Sequence, residues 1–208
     1  MSKKYTGWIA ILVIVSIVII DQVSKIWVKT SMSLLETIEI TSWFKIYFIE
    51  NNGMAFGMEI INKLFLTIFR IVAIGFIGYF LHFLVKKKYP VGYIVFVALI
   101  WAGAFGNIID CVFYGEIFSA SYPGHVASFV PIGEGYSSWM HGKVVDMLYF
   151  PLFEGHFPEW FPVNGGEKFI FFSPIFNIAD SAITVGIFVI LLFYRKTLLA
   201  SLESKKND

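Results

Sequence analysis

Residues 91–110 read VGYIVFVALIWAGAFGNIID, nineteen residues without a charge followed by an aspartate. A helix of about 20 mostly apolar residues crosses the hydrocarbon core of a bilayer, so this run predicts a transmembrane span over Val91–Ile109. Three other stretches have the same character, at about 7–29, 64–85 and 176–194. The composition agrees with them. The chain is 57% hydrophobic by a count that omits glycine, 15% charged, and has a mean hydropathy of +0.73. Soluble domains are about 45–50% apolar by a looser count that includes glycine. The fold class expected is an all-α integral membrane protein with four transmembrane helices and long outer loops. Lys3 and Lys4 before the first span resemble the start of a signal peptide, but no small-residue cleavage site follows Lys29 and three spans come later.

Charge placement orients the spans. Basic residues cluster before the first span (Lys3, Lys4), between the second and third (Lys86, Lys87, Lys88) and after the fourth (Arg195, Lys196, Lys205, Lys206). These regions alternate as one side of a four-span chain must, and the positive-inside rule makes that side cytoplasmic. Both termini are expected there, with connections 30–63 and 110–175 outside. The first of these carries Ile38-Glu39-Ile40 and Trp43 to Phe48, which read as one or two short strands, then the turn signal Glu50-Asn51-Asn52-Gly53. The second is rich in Gly, Pro, Ser and aromatics. Its Trp139, Tyr149, Phe150, Trp160 and Phe161 suit the headgroup layer. No repeat or linker divides the chain, so one domain over 1–208 is expected. A net charge of +1 gives no support for a nucleic-acid partner, the single Cys111 excludes an internal disulfide, and the four histidines show no zinc-ligand spacing.

Polar groups inside spans are costly and usually functional. Threaded through this topology, Asp21 and Lys25 fall in the outer part of span one. Asn51 and Gly53 precede span two, and Arg70 lies about two turns into it. Asn107 and Asp110 end span three, and Asn177 and Asp180 begin span four. All of them converge on one outer-leaflet layer. Each also has a plain structural reading. Asp21 and Lys25 form an i,i+4 pair in the favourable order, and Arg70 can snorkel to lipid phosphates. Asn107 and Asn177 can join helices, worth about 1 kcal/mol in a membrane. Asp110 can accept backbone amides or end a helix. Asp146, in Val144-Val145-Asp146-Met147-Leu148, and Asp180, between Ile175 and Ile183, are harder to explain so, because each sits within an apolar run.

Two carboxylates brought together in a poorly solvated site cannot both ionise, so they share a proton. The ionised one takes a proton from water while the protonated one polarises a peptide carbonyl, which is amide hydrolysis without metal or covalent intermediate. The parts of two competing intramembrane chemistries are missing: no His-Glu-x-x-His and no Gly-x-Ser-x-Gly.

These residues also spell a pattern. Asp21-Gln22-Val23-Ser24-Lys25, Asn51-Asn52-Gly53-Met54-Ala55-Phe56-Gly57, Gly106-Asn107-Ile108-Ile109-Asp110, Val144-Val145-Asp146 and Phe176-Asn177-Ile178-Ala179-Asp180-Ser181 stand in order over nearly the whole chain. Together they resemble the five boxes of the bacterial lipoprotein signal peptidases (signal peptidase II). The resemblance implies a fold of four helices with a small periplasmic β-cradle, and Asp146 and Asp180 as catalytic pair. It implies that Asp21, Lys25, Asn51, Gly53, Asn107, Asp110 and Asn177 stabilise the site or bind substrate. The implied substrate is a prolipoprotein whose lipobox Cys carries diacylglycerol, cut just before that Cys. It further implies that no cofactor or metal is needed, that globomycin inhibits, and that the setting is the inner membrane, with lipid as partner and a monomer sufficient.

Two features depart from that pattern. Cys111 stands where the family usually has Arg, removing a guanidinium that could orient Asp110 or a substrate carbonyl; Arg70 is the candidate replacement. Asp110 and Asp146 lie 36 residues apart, so Ile117 to His141 reads as an insertion, as does part of Leu152 to Phe172, serving as lid, lipid contact or decoration. Two other functions would use the same residue types. A proton-coupled carrier also uses buried acids, although its binding groups belong near the midplane and often in a repeat. A non-enzymatic scaffold would use the carboxylates only for packing.

Overall fold

The structure is a computed structural model that describes residues 3–53, 63–160, 162 and 165–206. Helix α1 (Lys3–Ser31) extends the first expected span at both ends, α2 (Lys63–Lys86) matches the second within a residue, and α3 (Val91–Ile109) matches the third. Pro90, with φ fixed at −54°, sits at the N-cap of α3 and separates it from α2. Helix α3 is central and packs against α1, α2 and α5 (Ile178–Phe193). Two glycines make this possible. A Cβ on Gly103 would overlap the Ala179 carbonyl of α5, and one on Gly106 would overlap the Asp21 carboxylate of α1. Ile11, Leu12, Phe69, Phe76, Phe188 and Leu192 point outward and remain exposed, an apolar surface suited to lipid.

The third span does not stop at Asp110. It widens into a π-helical turn (Asp110–Tyr114) and ends in the short α4 (Gly115–Ile117). The carbonyls freed there accept from the chain returning out of the insertion. Gly142 N–H donates to the Cys111 carbonyl at 2.8 Å, Met140 N–H to that of Val112 at 3.0 Å, and Ser137 N–H to that of Gly115 at 2.8 Å. Residues 117–141 are therefore bound into the fold rather than hung upon it. Thr67 of α2 also donates to the Met140 carbonyl at 3.0 Å.

The strand content exceeds the one or two strands read from sequence. β1 (Thr37–Thr41), β2 (Phe44–Asn51), β3 (Val144–Tyr149) and β6 (Ile175–Phe176) form an antiparallel sheet in the order β1-β2-β3-β6. β4 (Phe153–His156) and β5 (Lys168–Phe171) form a separate hairpin. β3 is buried on both faces as far as Met147. That is why its sequence reads as a continuous apolar run rather than an alternating one.

The fourth expected span is corrected at both ends. Phe176 belongs to β6, Asn177 caps α5, and α5 stops at Phe193 after 16 residues. The chain then bends by 93° into α6 (Arg195–Lys206). Among the described residues three helices are long and apolar enough to cross a membrane, and α5 with α6 makes a fourth if the bent pair counts as one span. Met54-Ala55-Phe56-Gly57 and Phe161 lie outside the described residues.

Candidate active site

The site is built where the first turn of α5, the end of α3 and strand β3 meet. Asn177 has the extended backbone of an N-cap, and its side-chain oxygen accepts from Asp180 N–H at 2.8 Å. The Asp180 carboxylate reaches back toward Asn177 N–H at 3.4 Å, closing a capping box. This fixes where Asp180 stands. Asn107 of α3 then donates to Asp180 Oδ1 at 2.8 Å.

Asp146 comes from β3 and is buried. Asn177 Nδ2 donates to its Oδ1 at 2.7 Å, and Asn51 Nδ2, from the end of β2, to its Oδ2 at 3.1 Å. Asn177 thus holds Asp146 with its amide while capping the helix of Asp180, and it also bonds Asn107 at 3.2 Å. One asparagine ties both carboxylates together. Burial first, and then the charge of Asp180, push the Asp146 carboxyl up to about 7. The amide bonds from Asn51 and Asn177 oppose this without cancelling it.

Beneath the pair lies a fully buried ionic layer. Lys25 Nζ is 2.8 Å from Asp21 Oδ2, 2.8 Å from Asp110 Oδ2 and 2.8 Å from Asn107 Oδ1. All three charged side chains have zero exposure. Asp21 Oδ1 accepts from Ala179 N–H at 2.9 Å, in the first turn of α5. Asp110 Oδ2 accepts from Val145 N–H at 3.3 Å, next to Asp146. The layer therefore fixes the backbones that carry both aspartates. The i,i+4 pair expected of Asp21 and Lys25 is formed, and Asp110 does accept a backbone amide.

Arg70 does not point to lipid phosphates. Its Nη1 donates to Cys111 Sγ at 3.1 Å, and its Nη2 reaches the Gly53 carbonyl at 3.5 Å. Gly53 has φ +76°, and a Cβ there would collide with the guanidinium, so both its turn and its neighbour require glycine. Arg70, Asn107 and Asp180 line a cavity of about 280 Å³ whose other walls are Phe69, Ala73, Ile74, Ile77, Ala104 and Ile183. An apolar cleft with three polar groups at one end suits a substrate that is itself mostly apolar.

Sequence reasoning missed a second ionic cluster. Lys29 pairs with Glu50, which also takes Lys143 Nζ at 3.2 Å and Ser121 Oγ at 3.0 Å. Burial alone would push the Glu50 carboxyl up, but Lys29 and Lys143 hold it below its ordinary value. Glu50 immediately precedes Asn51, so the cluster anchors the strand end that reaches Asp146 and joins the insertion to it. A signal was present: Asp21, Lys25 and Lys29 recur every four residues, hence on one helix face. Gln22, which follows Asp21 in the first box, donates to Asp110 Oδ1 at 2.9 Å and to the Gly106 carbonyl at 3.1 Å. Among the described residues, no group of three or more His, Cys, Asp or Glu is placed to hold a metal ion.

Fold and site together define a class: a multi-pass membrane protein in which a small sheet holds Asp146, helix α5 holds Asp180, and Asn177 is bonded to both residues. Comparison with known proteins gives the family. Residues 13–195 match the family described as Signal peptidase (SPase) II. A lipoprotein signal peptidase of Porphyromonas gingivalis is 49% identical over 208 residues, covering all of this chain and 92% of the relative. One from Amoebophilus asiaticus is 37% identical over 205 residues, covering 95% and 81%. A solved structure of a bacterial membrane enzyme, determined by the in meso method, superposes with a TM-score of 0.59 at 27% identity, covering 90% of this chain and 88% of that one. The chain belongs to the signal peptidase II family, and is classed with its aspartic endopeptidases. The carrier and scaffold readings are set aside accordingly.

Proposed function

We propose that this chain, as a single domain and a monomer without cofactor, removes signal peptides from prolipoproteins. It cuts just before a Cys that carries diacylglycerol, with Asp146 and Asp180 as its catalytic pair. The observation that carries this reading is the joint tethering of the two carboxylates by Asn177 and Asn107, with the Asp146 carboxyl pushed to about 7. Asp146 is then about half protonated at neutral pH beside Asp180, the condition for acid and base to act in one step.

In the proposed cycle a water lies between the pair. Asp180 takes its proton as the water oxygen attacks the scissile carbonyl carbon, and Asp146 donates its proton to the developing oxyanion. Asp146 recovers that proton as the tetrahedral adduct collapses. The C–N bond breaks, and the proton held by Asp180 passes to the leaving amine, restoring both aspartates. Lys25, Asp21 and Asp110 position the two backbones, and Asn51 and Gly53 close the β2 end of the site. The basic-residue pattern supports a cytoplasmic location for both termini. The active site would then face the periplasmic side of the inner membrane. The deciding experiment is cleavage of a diacylglyceryl-modified prolipoprotein by the purified protein in detergent, with inhibition by globomycin as a second readout.

A pH dependence follows from the role of Asp146 as acid. Its protonated form is lost as pH rises through about 7, so kcat/KM should fall tenfold per pH unit above that point. A profile flat from pH 6 to 9 would remove Asp146 from the acid role.

The guanidinium that the family usually supplies beside the third-box aspartate comes here from α2. Arg70 reaches Cys111 and lines the cleft with Asp180, so it is placed to bind a substrate carbonyl. Arg70→Gln is expected to lower kcat/KM by about 10- to 100-fold, the worth of a charged hydrogen bond, chiefly through KM. Adding Cys111→Arg to that variant should restore part of the loss. A change in kcat alone would show that Arg70 does not hold substrate.

A further inference from the structure

Helix α2 carries Arg70 beside the carboxylate pair and Lys86 sixteen residues later, about 24 Å along the axis at 1.5 Å per residue. That is close to the thickness of a hydrocarbon core, about 30 Å. At this far end α5 turns through 93° into α6, which lies across the helix ends. Leu198 packs α6 onto the apolar core there, and Ser201 bonds the Tyr93 hydroxyl at 3.1 Å. Between the last turns of α2 and α6 is a cavity of about 560 Å³, lined by Tyr79, His82, Phe83, Lys86, Lys87 and Lys205. No acidic side chain is among those lining residues.

Lys205 Nζ stands 4.3 Å from the centre of the Tyr79 ring and 5.2 Å from that of Phe80. The aromatic faces hold the ammonium in place without neutralising it. Among the described residues neither Lys86 nor Lys205 has a carboxylate partner. A second feature continues from the first. Tyr79 also lines an apolar groove of about 330 Å³ that runs back along the outside of α2 past Phe76 and Gly75 to Val72. At Gly75 a Cβ would meet nothing within 4 Å, so the groove is open to an acyl chain.

We propose that this cavity binds the phosphate headgroup of an anionic phospholipid, with one acyl chain lying in the α2 groove. Lys86 and Lys205 hold the phosphate, His82 and the Tyr79 hydroxyl are placed to donate to its oxygens, and Val72, Gly75 and Phe76 receive the chain. A zwitterionic headgroup would bring its own cation into a cavity that is already positive, which gives the preference for anionic lipid. The site is at the opposite end of the helices from Asp146 and Asp180, so it stands or falls independently of the peptidase reading.

The test is lipid binding by purified full-length protein in a neutral detergent, read by native mass spectrometry and by melting temperature. The probes are short-chain phosphatidylglycerol, short-chain phosphatidylcholine and inorganic phosphate. Phosphatidylglycerol should bind selectively and raise the melting temperature. Each lysine near a charged lipid is worth a factor of about five, so the double variant Lys86→Gln/Lys205→Gln should bind it about 25-fold more weakly. Gly75→Leu, which fills the groove without touching the charges, should also weaken it. Lys45→Gln, on the sheet, should not. Equal binding of the two lipids, or unchanged binding by the double variant, would overturn the proposal. Stabilisation by inorganic phosphate equal to that by phosphatidylglycerol, or no effect of Gly75→Leu, would overturn the lipid as occupant.

Discussion

Asp146→Asn and Asp180→Asn are each expected to lower the rate of prolipoprotein cleavage by 10²- to 10⁴-fold, the usual worth of a positioned acid or base. The amide keeps the shape of the carboxyl group, and Asn177 continues to cap α5 through its own side chain whichever variant is made. The loss should therefore be chemical rather than structural, with melting temperatures in detergent close to that of the wild type. In Asp146→Asn an oxygen remains for Asn177, but the new NH₂ must face the donor of Asn51. A shift of a few degrees at that position would be unsurprising; loss of folding would not. Either variant cleaving at the wild-type rate would remove that residue from the chemistry. If folded wild-type protein failed to cleave a diacylglyceryl-modified substrate, the Arg70–Cys111 arrangement would mark an inactive member of the family.

The second large effect is on stability. Lys25→Met should destabilise the fold by about 3–5 kcal/mol, the usual result of removing one partner from a buried ionic group. Lys25 is the cation that holds Asp21 and Asp110, all three without exposure, and it also bonds Asn107. Without it two carboxylates are left buried together, next to the backbones that carry Asp180 and Asp146. Lys45→Met is the control, because its pair with Glu39 is partly exposed and such pairs are worth about 0–1 kcal/mol. Thermal denaturation of both variants in the same detergent decides the matter. Equal melting temperatures would mean that packing of α3 against α1 and α5, not the ionic layer, holds this region.

The spans and the polar layer were legible because both obey simple rules. A span needs a run of apolar residues, and a charge within one needs a reason, so α1, α2, α3 and the groups at their ends could be read in order. Strand β3 was harder. Buried on both faces, it has no alternation, so the apolar run around Asp146 carried no strand signal even though the acid within it stood out; the strand shows only in its pairing with β2 and β6. Helix α5 was read two residues early because Phe176-Asn177 is apolar enough to continue a span. The extended backbone of Asn177, which ends the strand and starts the helix, is a cap rather than a composition signal. The Lys29–Glu50–Lys143 cluster joins three segments far apart in sequence, and only the fold brings them together. The wide turn at Asp110 arises from bonds to the returning insertion, which no local pattern encodes.

The pairing of β3 with β6 closes the site before the β4–β5 hairpin begins. Leu148 faces Phe176 and Tyr149 faces Ile175, so the chain leaves the sheet after Tyr149 and returns to it at almost the same place. Everything between is a detour with one doorway. Its length and sequence can be rewritten by an engineer, while the two aspartates stay held by Asn177, by the buried ionic layer and by the doorway itself. The hairpin is thus a natural port for grafting a reporter or a new recognition loop beside Asp146 and Asp180 without retuning them.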